Sequence, residues 1–207
     1  MDDTSPESVR SEARRRAILD VAREVFLKEG YAAASMSNIA ARLGGSKGTL
    51  YNYFRSKEDL FAAFMVDTCK LQADALFDHL PPFDDGARPA LESLAEAFLE
   101  FILESPVLSV HRVVVAEAER FPELGRIFYE TGPKTGEDRL TVYMQRMIDA
   151  GVLRDCDARN AARRFKDLVL SDVQHRTLWG VMPPMDAAAR KAQAAESVDL
   201  FLRAFAA

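Results

Sequence analysis

The 207-residue chain contains few of the residues on which metal centres, disulfide frameworks and many catalytic sites depend: two cysteines, three histidines and one tryptophan. Cys69 and Cys156 lie far apart in the sequence, and no two histidines are spaced as a metal-binding pair, so neither a metal ion nor a cofactor is predicted. Two isolated cysteines are typical of free thiols in a reducing compartment. No nucleophile, base and orienting group occur together, which argues against an enzyme.

Long hydrophobic runs are also missing. None approaches the roughly 18 residues of a membrane span, and the N-terminal sequence MDDTSPES is acidic and polar, unlike a secretory signal. We therefore expect a cytoplasmic protein. Strand-like alternation of apolar and polar residues is absent as well, whereas long segments with apolar residues at helical spacing follow one another to the C-terminus. This pattern predicts an all-α fold.

Positive charge is concentrated in the first part of the chain, although the net charge is −5. Residues 1–57 contain 10 Lys and Arg against 7 Asp and Glu, whereas residues 58–207 contain 17 against 25. Three consecutive arginines at 14–16 are candidates for contacts with a sugar-phosphate backbone, with a solvated helix face as the alternative. The asymmetry predicts a basic module attached to an acidic body, as in a nucleic-acid-binding protein.

The basic module has the pattern of three helices. The first is predicted to begin near Ser11 and carries an apolar stripe with helical spacing. Ser35 can cap a second helix over residues 36–43, and a turn of about four residues that contains glycine leads to a third helix capped by Ser46. Two helices joined by such a turn are typical of a helix-turn-helix, whose second helix lies in the major groove of DNA.

The third helix is short and polar, and it contains a glycine. Leu50 and Phe54 share one side, and Gly48 and Asn52 share the opposite side. A glycine inside a helix costs about 1 kcal/mol relative to alanine, so its place on the exposed side predicts that a partner approaches the backbone there. The residues around it are of types that bind phosphates and base edges: Lys47, Tyr51, Asn52, Tyr53 and Lys57. Partly buried tyrosines beside an ordinary surface lysine are the alternative.

The segment GGSKGTLYNYFRSKEDL, residues 44–60, resembles the DNA-binding signature of TetR-family transcriptional regulators, G-V-S-x-G-x-L-Y-x-Y-F-x-S-K-x-x-L. The departure is Gly45, where the family usually has a small apolar residue. A nucleotide-binding P-loop does not fit, because the lysine precedes the last glycine and a helix precedes the loop. The resemblance covers residues 11 to about 62. It implies base or adjacent backbone contacts by Lys47, Thr49, Tyr51 and Asn52, close approach at Gly48, phosphate contacts by Ser46, Tyr53 and Lys57, and a base contact by Ser37.

Beyond this module, the resemblance implies a helical domain that binds an effector and forms a dimer. The expected organisation is a flexible tail at 1–10, a helix-turn-helix domain at 11–56 and a ligand-binding and dimerisation domain at 57–207. Candidate pocket residues, each of which alone is more typical of a core, are Phe64, Phe101, His111, Phe128 and Phe165. Candidate dimer residues lie in the stripes of the last two helices, with packing inside their own domain as the alternative: Phe165, Leu168, Val169, Val198, Phe201, Leu202 and Phe205.

The predicted function is that of a homodimeric, ligand-responsive transcriptional repressor. Its two recognition helices would enter successive major grooves of a palindromic operator, because the symmetry of the site mirrors that of the dimer. A small, apolar molecule would release it from DNA. Two alternatives stay open: a DNA-binding activator or architectural protein without an effector, and an enzyme on a helical scaffold.

Overall fold

The computed structural model describes residues 6–103 and 105–207, and these residues form an all-α fold. Within them the one strand-type pairing is an isolated bridge between Leu153 and Ala206, so the predicted fold class is confirmed. None of the helices in this part of the chain is long and apolar enough to cross a membrane. The helices are α1 (Pro6–Ala33), α2 (Met36–Arg42), α3 (Lys47–Tyr53), α4 (Lys57–Asp78), α5 (Ala87–Leu103), α6 (Ser105–Glu117), α7 (Pro122–Thr131), α8 (Pro133–Asp149), α9 (Ala158–Leu178) and α10 (Ala187–Phe205).

The first helix begins earlier than predicted. It begins at Pro6 rather than near Ser11, and proline suits a first helical position because the amide that it lacks would have no partner there. The predicted tail at 1–10 is therefore helical from residue 6, and residues 1–5 lie outside the described part. The helix is interrupted at Gly30, which has φ 79° and ψ 166°, a backbone conformation that glycine adopts without steric cost.

Capping side chains mark the starts of several later helices. Asp157 accepts a hydrogen bond from the amide of Asn160 at 2.7 Å, and Asp186 accepts one from Ala189 at 2.8 Å. These contacts satisfy first-turn amides that no carbonyl of the helix can reach. The observed α2 ends at Arg42, one residue before the predicted end.

The chain divides into two compact units. The first unit consists of the described residues up to Thr68 together with Ser109–Thr131, and the second of Cys69–Leu108 and Gly132–Ala207. This division differs from the domain boundary predicted between residues 56 and 57. The reason is that Phe61 of α4 packs edge to face against Phe26 of α1, with 5.1 Å between ring centroids. The start of α4 thus belongs to the core of the helix-turn-helix module.

The second unit has its own core, and this core contains most of the residues predicted to form a dimer interface. Phe165, Val169, Val198 and Phe201 are at most 1% exposed within the single chain, and the rings of Phe165 and Phe201 pack edge to face at 5.4 Å. These four side chains therefore pack within their own unit, and a direct role for them in a dimer interface stays a prediction. Of the remaining three, Leu168 and Leu202 are half-buried, and Phe205 is buried.

Candidate DNA interface

The turn between α2 and α3 is closed by two backbone hydrogen bonds. The amide of Gly44 donates to the carbonyl of Ala41 at 3.1 Å, and the amide of Gly45 donates to that of Ala40 at 3.2 Å. Gly44 has φ +67°, a left-handed conformation that glycine adopts without steric cost. This is the Schellman arrangement that ends many helices. It sets the direction in which the chain enters α3.

Side chains at both ends of α3 hold it on the first unit. Ser46 precedes the helix, and its Oγ accepts a hydrogen bond from the amide of Thr49 at 3.1 Å and lies 3.0 Å from the Thr49 hydroxyl. The inward side carries Leu50 and Phe54, which are 0% and 2% exposed. The helix therefore has a capped N-terminus and one buried side, and its orientation is determined by packing rather than by its short length.

The outward side of α3 carries most of the residues predicted to contact DNA. Lys47, Gly48, Tyr51 and Asn52 are exposed, and Tyr51 keeps 47% of its surface accessible. Ser37, in the first turn of α2, is exposed as well. Thr49 and Tyr53 are half-buried. The structure thus brings the predicted base-contacting residues together on one short helix that projects polar side chains into solvent.

Gly48 is not required by packing inside the protein. A Cβ placed on it would meet only the Oγ of Ser46, at 3.7 Å, which is ordinary van der Waals contact. An alanine would fit this helical position and would be favoured there by about 1 kcal/mol. The glycine therefore has no explanation in the folded chain itself, whereas a partner lying against the α3 backbone would explain it.

The ammonium group of Lys57 donates to two backbone carbonyls of the first unit. Its Nζ donates to the carbonyl of Tyr31 at 2.8 Å and to that of Ala34 at 3.1 Å. The same atom lies 4.0 Å from the centroid of the Tyr31 ring and 5.5 Å from that of Phe121. Burial lowers the pKa of this ammonium group, although Glu58 and Glu117 oppose the shift. Lys57 thus joins α4 to the segment before α2. Since two of its three donors are used in this way, a phosphate contact through the third stays a prediction.

A polar cluster surrounds Lys57. The hydroxyl of Tyr31 donates to Glu58 Oε1 at 3.0 Å, and burial, followed by the effect of Glu58, raises the pKa of Tyr31 well above its ordinary value. Glu58 has its own pKa lowered by hydrogen bonds from its backbone amide and from the Ser56 hydroxyl. Glu117 of α6 accepts a hydrogen bond from the amide of Ala32 at 3.0 Å. Sequence reasoning missed this last contact, because 85 residues separate its partners and no local pattern reports it.

Several cations of the basic module are already neutralised within it. Arg16 pairs with Asp67 at 2.8 Å, and Arg42 is paired with Glu29 and also donates to Asn38. Such side chains contribute less to the attraction of DNA than unpaired ones, because a nearby carboxylate cancels their field. Lys47, by contrast, is exposed at the start of α3. The count of positive charges in the sequence therefore overstates the charge that the module offers to a phosphate backbone.

The residues predicted to line one effector pocket are distributed over both units. Phe64, His111 and Phe128 belong to the first unit, where the rings of His111 and Phe128 stack at 5.2 Å. Phe101 and Phe165 belong to the second. Phe64 and Phe165 are each 1% exposed and pack within separate cores. A cavity of about 240 Å³ between α1 and α4 contains none of the five; its lining is Glu12, Ala13, Arg15, Arg16, Leu19 and Asp67.

No group of three or more His, Cys, Asp or Glu side chains that could hold a metal ion occurs in the described residues. Glu137 is a buried carboxylate of the second unit, and hydrogen bonds from Arg163 and then Arg159 lower its pKa. It is thus neutralised by two guanidinium groups, an arrangement that stabilises a charge and does not prepare it for acid or base chemistry.

Two family models match the chain in succession. Residues 18–64 match the bacterial regulatory proteins of the tetR family, and residues 89–207 match the C-terminal domain of AefR-like transcriptional repressors. The first match contains α2 and α3 and the signature that they carry. The second extends over more than half of the chain.

Relatives of similar length resemble the chain in sequence and fold. The flavonoid-responsive regulator FrrA is 31% identical, with a TM-score of 0.81 over 94% of this chain and 98% of its own. A TetR-family transcriptional regulator from Mesorhizobium loti MAFF303099 is 26% identical, with a TM-score of 0.83 over 96% of this chain and 99% of its own. The HTH-type transcriptional repressor Rv1474c of Mycobacterium tuberculosis is 27% identical over 83% of this chain and 86% of its own. These similarities and the geometry of α2 and α3 establish that the chain belongs to the TetR family of DNA-binding transcriptional regulators.

Proposed function

We propose that this protein represses transcription by binding a palindromic operator as a homodimer, and that a small molecule releases it. The observation that carries the proposal is the outward side of α3, where exposed polar residues surround Gly48 and nothing inside the protein accounts for the glycine. Lys47, Tyr51 and Asn52 supply hydrogen-bond donors and acceptors suited to base edges. The Ser46 cap and the buried Leu50 hold this helix rigid before DNA arrives, so little order has to be gained on binding.

The effector part of the proposal is supported by relatives rather than by a pocket. FrrA is described as flavonoid-responsive, and residues 89–207 match a domain of transcriptional repressors. In a dimer of this kind the two recognition helices must be about 34–36 Å apart to enter successive major grooves. A ligand that favours a different separation weakens DNA binding, and DNA must then weaken ligand binding by the same factor.

The dimer part of the proposal uses the exposed sides of α9 and α10 in place of the buried stripes. Leu200 of α10 is 47% exposed and Trp179, at the end of α9, is 70% exposed. Large apolar side chains in such positions are suited to a symmetric contact with a second copy. Leu200 lies two positions from the buried Val198 and five from the buried Phe205, so helical spacing places it on a different side of α10 from the core stripe.

Selection of bound duplexes from a random pool tests the DNA-reading role. The expected product is a palindrome with two half-sites about one helical turn apart. Asn52→Ala should change the bases selected within each half-site, whereas Tyr53→Phe should weaken binding to all duplexes alike. If both variants retain the wild-type base preference and lose affinity equally, α3 does not read bases.

Calorimetry tests the effector. A panel of flavonoids and other apolar molecules is titrated into the free protein and into its complex with the selected duplex. We expect a binding compound to lose affinity in the complex, by the factor that it imposes on DNA binding. Equal affinity in both titrations would refute the release mechanism. The absence of any binding compound would favour a regulator without an effector.

A further inference from the structure

The space beside Gly45 is occupied by a guanidinium group of α1. A Cβ placed on Gly45 would lie 2.7 Å from Nη2 of Arg14, which is closer than a Cβ approaches such an atom in folded proteins. Gly45 is the second residue after Leu43, the C-cap of α2, and in a Schellman turn this position often carries an apolar residue that packs back on the helix. Since glycine stands there instead, the α2–α3 turn leaves room for Arg14.

Arg14 differs from the two arginines that follow it. The Cζ of Arg15 lies 5.3 Å from the ring centroid of Phe54, and Arg16 pairs with Asp67. No carboxylate pairs with Arg14 anywhere in the part of the chain that the structure describes. Its side chain is half-buried against the turn. A guanidinium that is held in place but not neutralised can still donate to an anion outside the protein.

The location of this charge points to a phosphate of the DNA backbone. The turn at Gly45 leads directly into Ser46 and Lys47, and the N-terminal residues of a recognition helix are those that meet base edges in the major groove. The phosphates that border the groove therefore pass close to the turn when α3 is inserted. The forked donors of arginine match the geometry of a phosphate better than the single ammonium of a lysine does.

We propose that Arg14 binds a DNA phosphate. Because Gly45 has no side chain, the guanidinium of Arg14 has room to lie beside the turn, at the edge of the groove. The inference rests on the proposed function, because it requires α3 to enter the major groove. A long side chain that is ordered before binding loses less conformational entropy on the DNA. The departure of Gly45 from the family signature thus places a positive charge at the interface.

Two substitutions test the proposal from opposite sides. Arg14→Met keeps a long apolar stem in the space beside Gly45 and removes the charge. Gly45→Ala keeps the charge but displaces the guanidinium from that space. The fold should tolerate Gly45→Ala, because only the end of a flexible side chain has to move. Arg126→Gln, at an exposed position of α7, removes one positive charge elsewhere in the first unit and is the control.

Binding is measured by fluorescence anisotropy across a salt series, with the duplex selected by the wild-type protein and with a shuffled duplex of equal length.

Arg14→Met should weaken binding to both duplexes on the order of tenfold. It should also reduce the slope of log K against log salt by about 0.9 for each half-site, or about 1.8 for a dimer. Gly45→Ala should act in the same direction without lowering the melting temperature. The double variant should be no weaker than Arg14→Met, because both changes remove the same contact. The control should keep the wild-type slope.

Wild-type affinity and slope in either Arg14→Met or Gly45→Ala would overturn the proposal, because Arg14 would then only fill space. An equal loss of slope in Arg126→Gln would also overturn it, since net charge would explain the result. If the losses of DNA affinity in the two single variants add up in the double variant, Gly45 acts independently of Arg14. The proposed role of Gly45 in placing the Arg14 guanidinium would then be refuted. If the wild-type protein selects no sequence from the pool, the proposed function fails instead, and this outcome is seen before any variant is made.

Discussion

Lys57→Met distinguishes a structural lysine from one that binds DNA. The substitution keeps an unbranched apolar stem beside the rings of Tyr31 and Phe121 and removes the ammonium group. Two carbonyls, those of Tyr31 and Ala34, then lose a donor at 2.8 and 3.1 Å. The structure therefore predicts that this variant is less stable, and that the electrostatic part of its DNA binding is unchanged.

The loss of stability expected for Lys57→Met follows from three contributions. Each hydrogen bond from a charged donor stabilises a folded protein by about 1.5–3 kcal/mol, and a cation above an aromatic ring adds about 0.5–2 kcal/mol. Against these stands the cost of partly desolvating the ammonium, which is also why burial lowers the pKa of Lys57. Since that cost disappears in the variant, we expect a net loss of about 2–4 kcal/mol in the free energy of unfolding.

Urea unfolding followed by circular dichroism measures this loss, and hydrogen exchange shows whether it is located in the first unit. Lys47→Met is the matched control, because Lys47 is an exposed lysine at the start of α3. The control should unfold like the wild-type protein, but its salt slope for DNA binding should be smaller by about 1.8 for two half-sites. If Lys57→Met kept full stability and lost slope as the control does, the structural role would be refuted and the phosphate contact supported.

Three further predictions concern other parts of the chain. Gly48→Ala should raise the free energy of unfolding by up to about 1 kcal/mol while abolishing tight binding to the selected duplex; retained binding would show that nothing approaches α3 there. Burial raises the pKa of Tyr143 to about 12, so stability should fall as the pH rises from about 10, its unfolded value, towards 12. Tyr143→Phe, which loses a hydrogen bond to Pro81, should make that fall shallower by up to about 1.4 kcal/mol per pH unit, and an unchanged slope would contradict the assignment. Leu200→Lys should shift the sedimentation coefficient towards that of a monomer, and an unaltered dimer would place the interface elsewhere.

The features that sequence predicted well act over a few residues. Ser35 and Ser46 cap helices because their side-chain oxygens reach amides three positions ahead. Gly44 ends α2 because a left-handed residue is needed just there. The inward and outward sides of α3 follow from the spacing of Leu50 and Phe54. Such signals are complete within a short stretch of chain, so one sequence is enough to interpret them.

The pocket and dimer assignments required knowledge of what packs against a surface. An apolar stripe on a helix shows that one side is buried, but a second chain and the same chain produce the same stripe. Phe165 and Phe201 belong to such stripes, and both are buried in their own unit. The residues predicted to line a pocket pose a related problem, since Phe64 and Phe165 are apolar residues of two different cores. Partners that are distant in the chain decide these cases.

The same argument applies to the charges that meet DNA. The sequence counts Lys57, Arg16 and Arg14 as equal contributors to a basic module, but each has a different electrostatic environment in the fold. Lys57 donates to two backbone carbonyls, and Arg16 is neutralised by the carboxylate of Asp67. Arg14, by contrast, lies beside the turn before α3. Because a phosphate responds to local, unneutralised charge rather than to a net count, we expect the positive edge of the interface to lie towards α1 rather than at the start of α4. Gly45 is the residue that makes this placement sterically possible, and it is also the position at which the chain departs from its family signature.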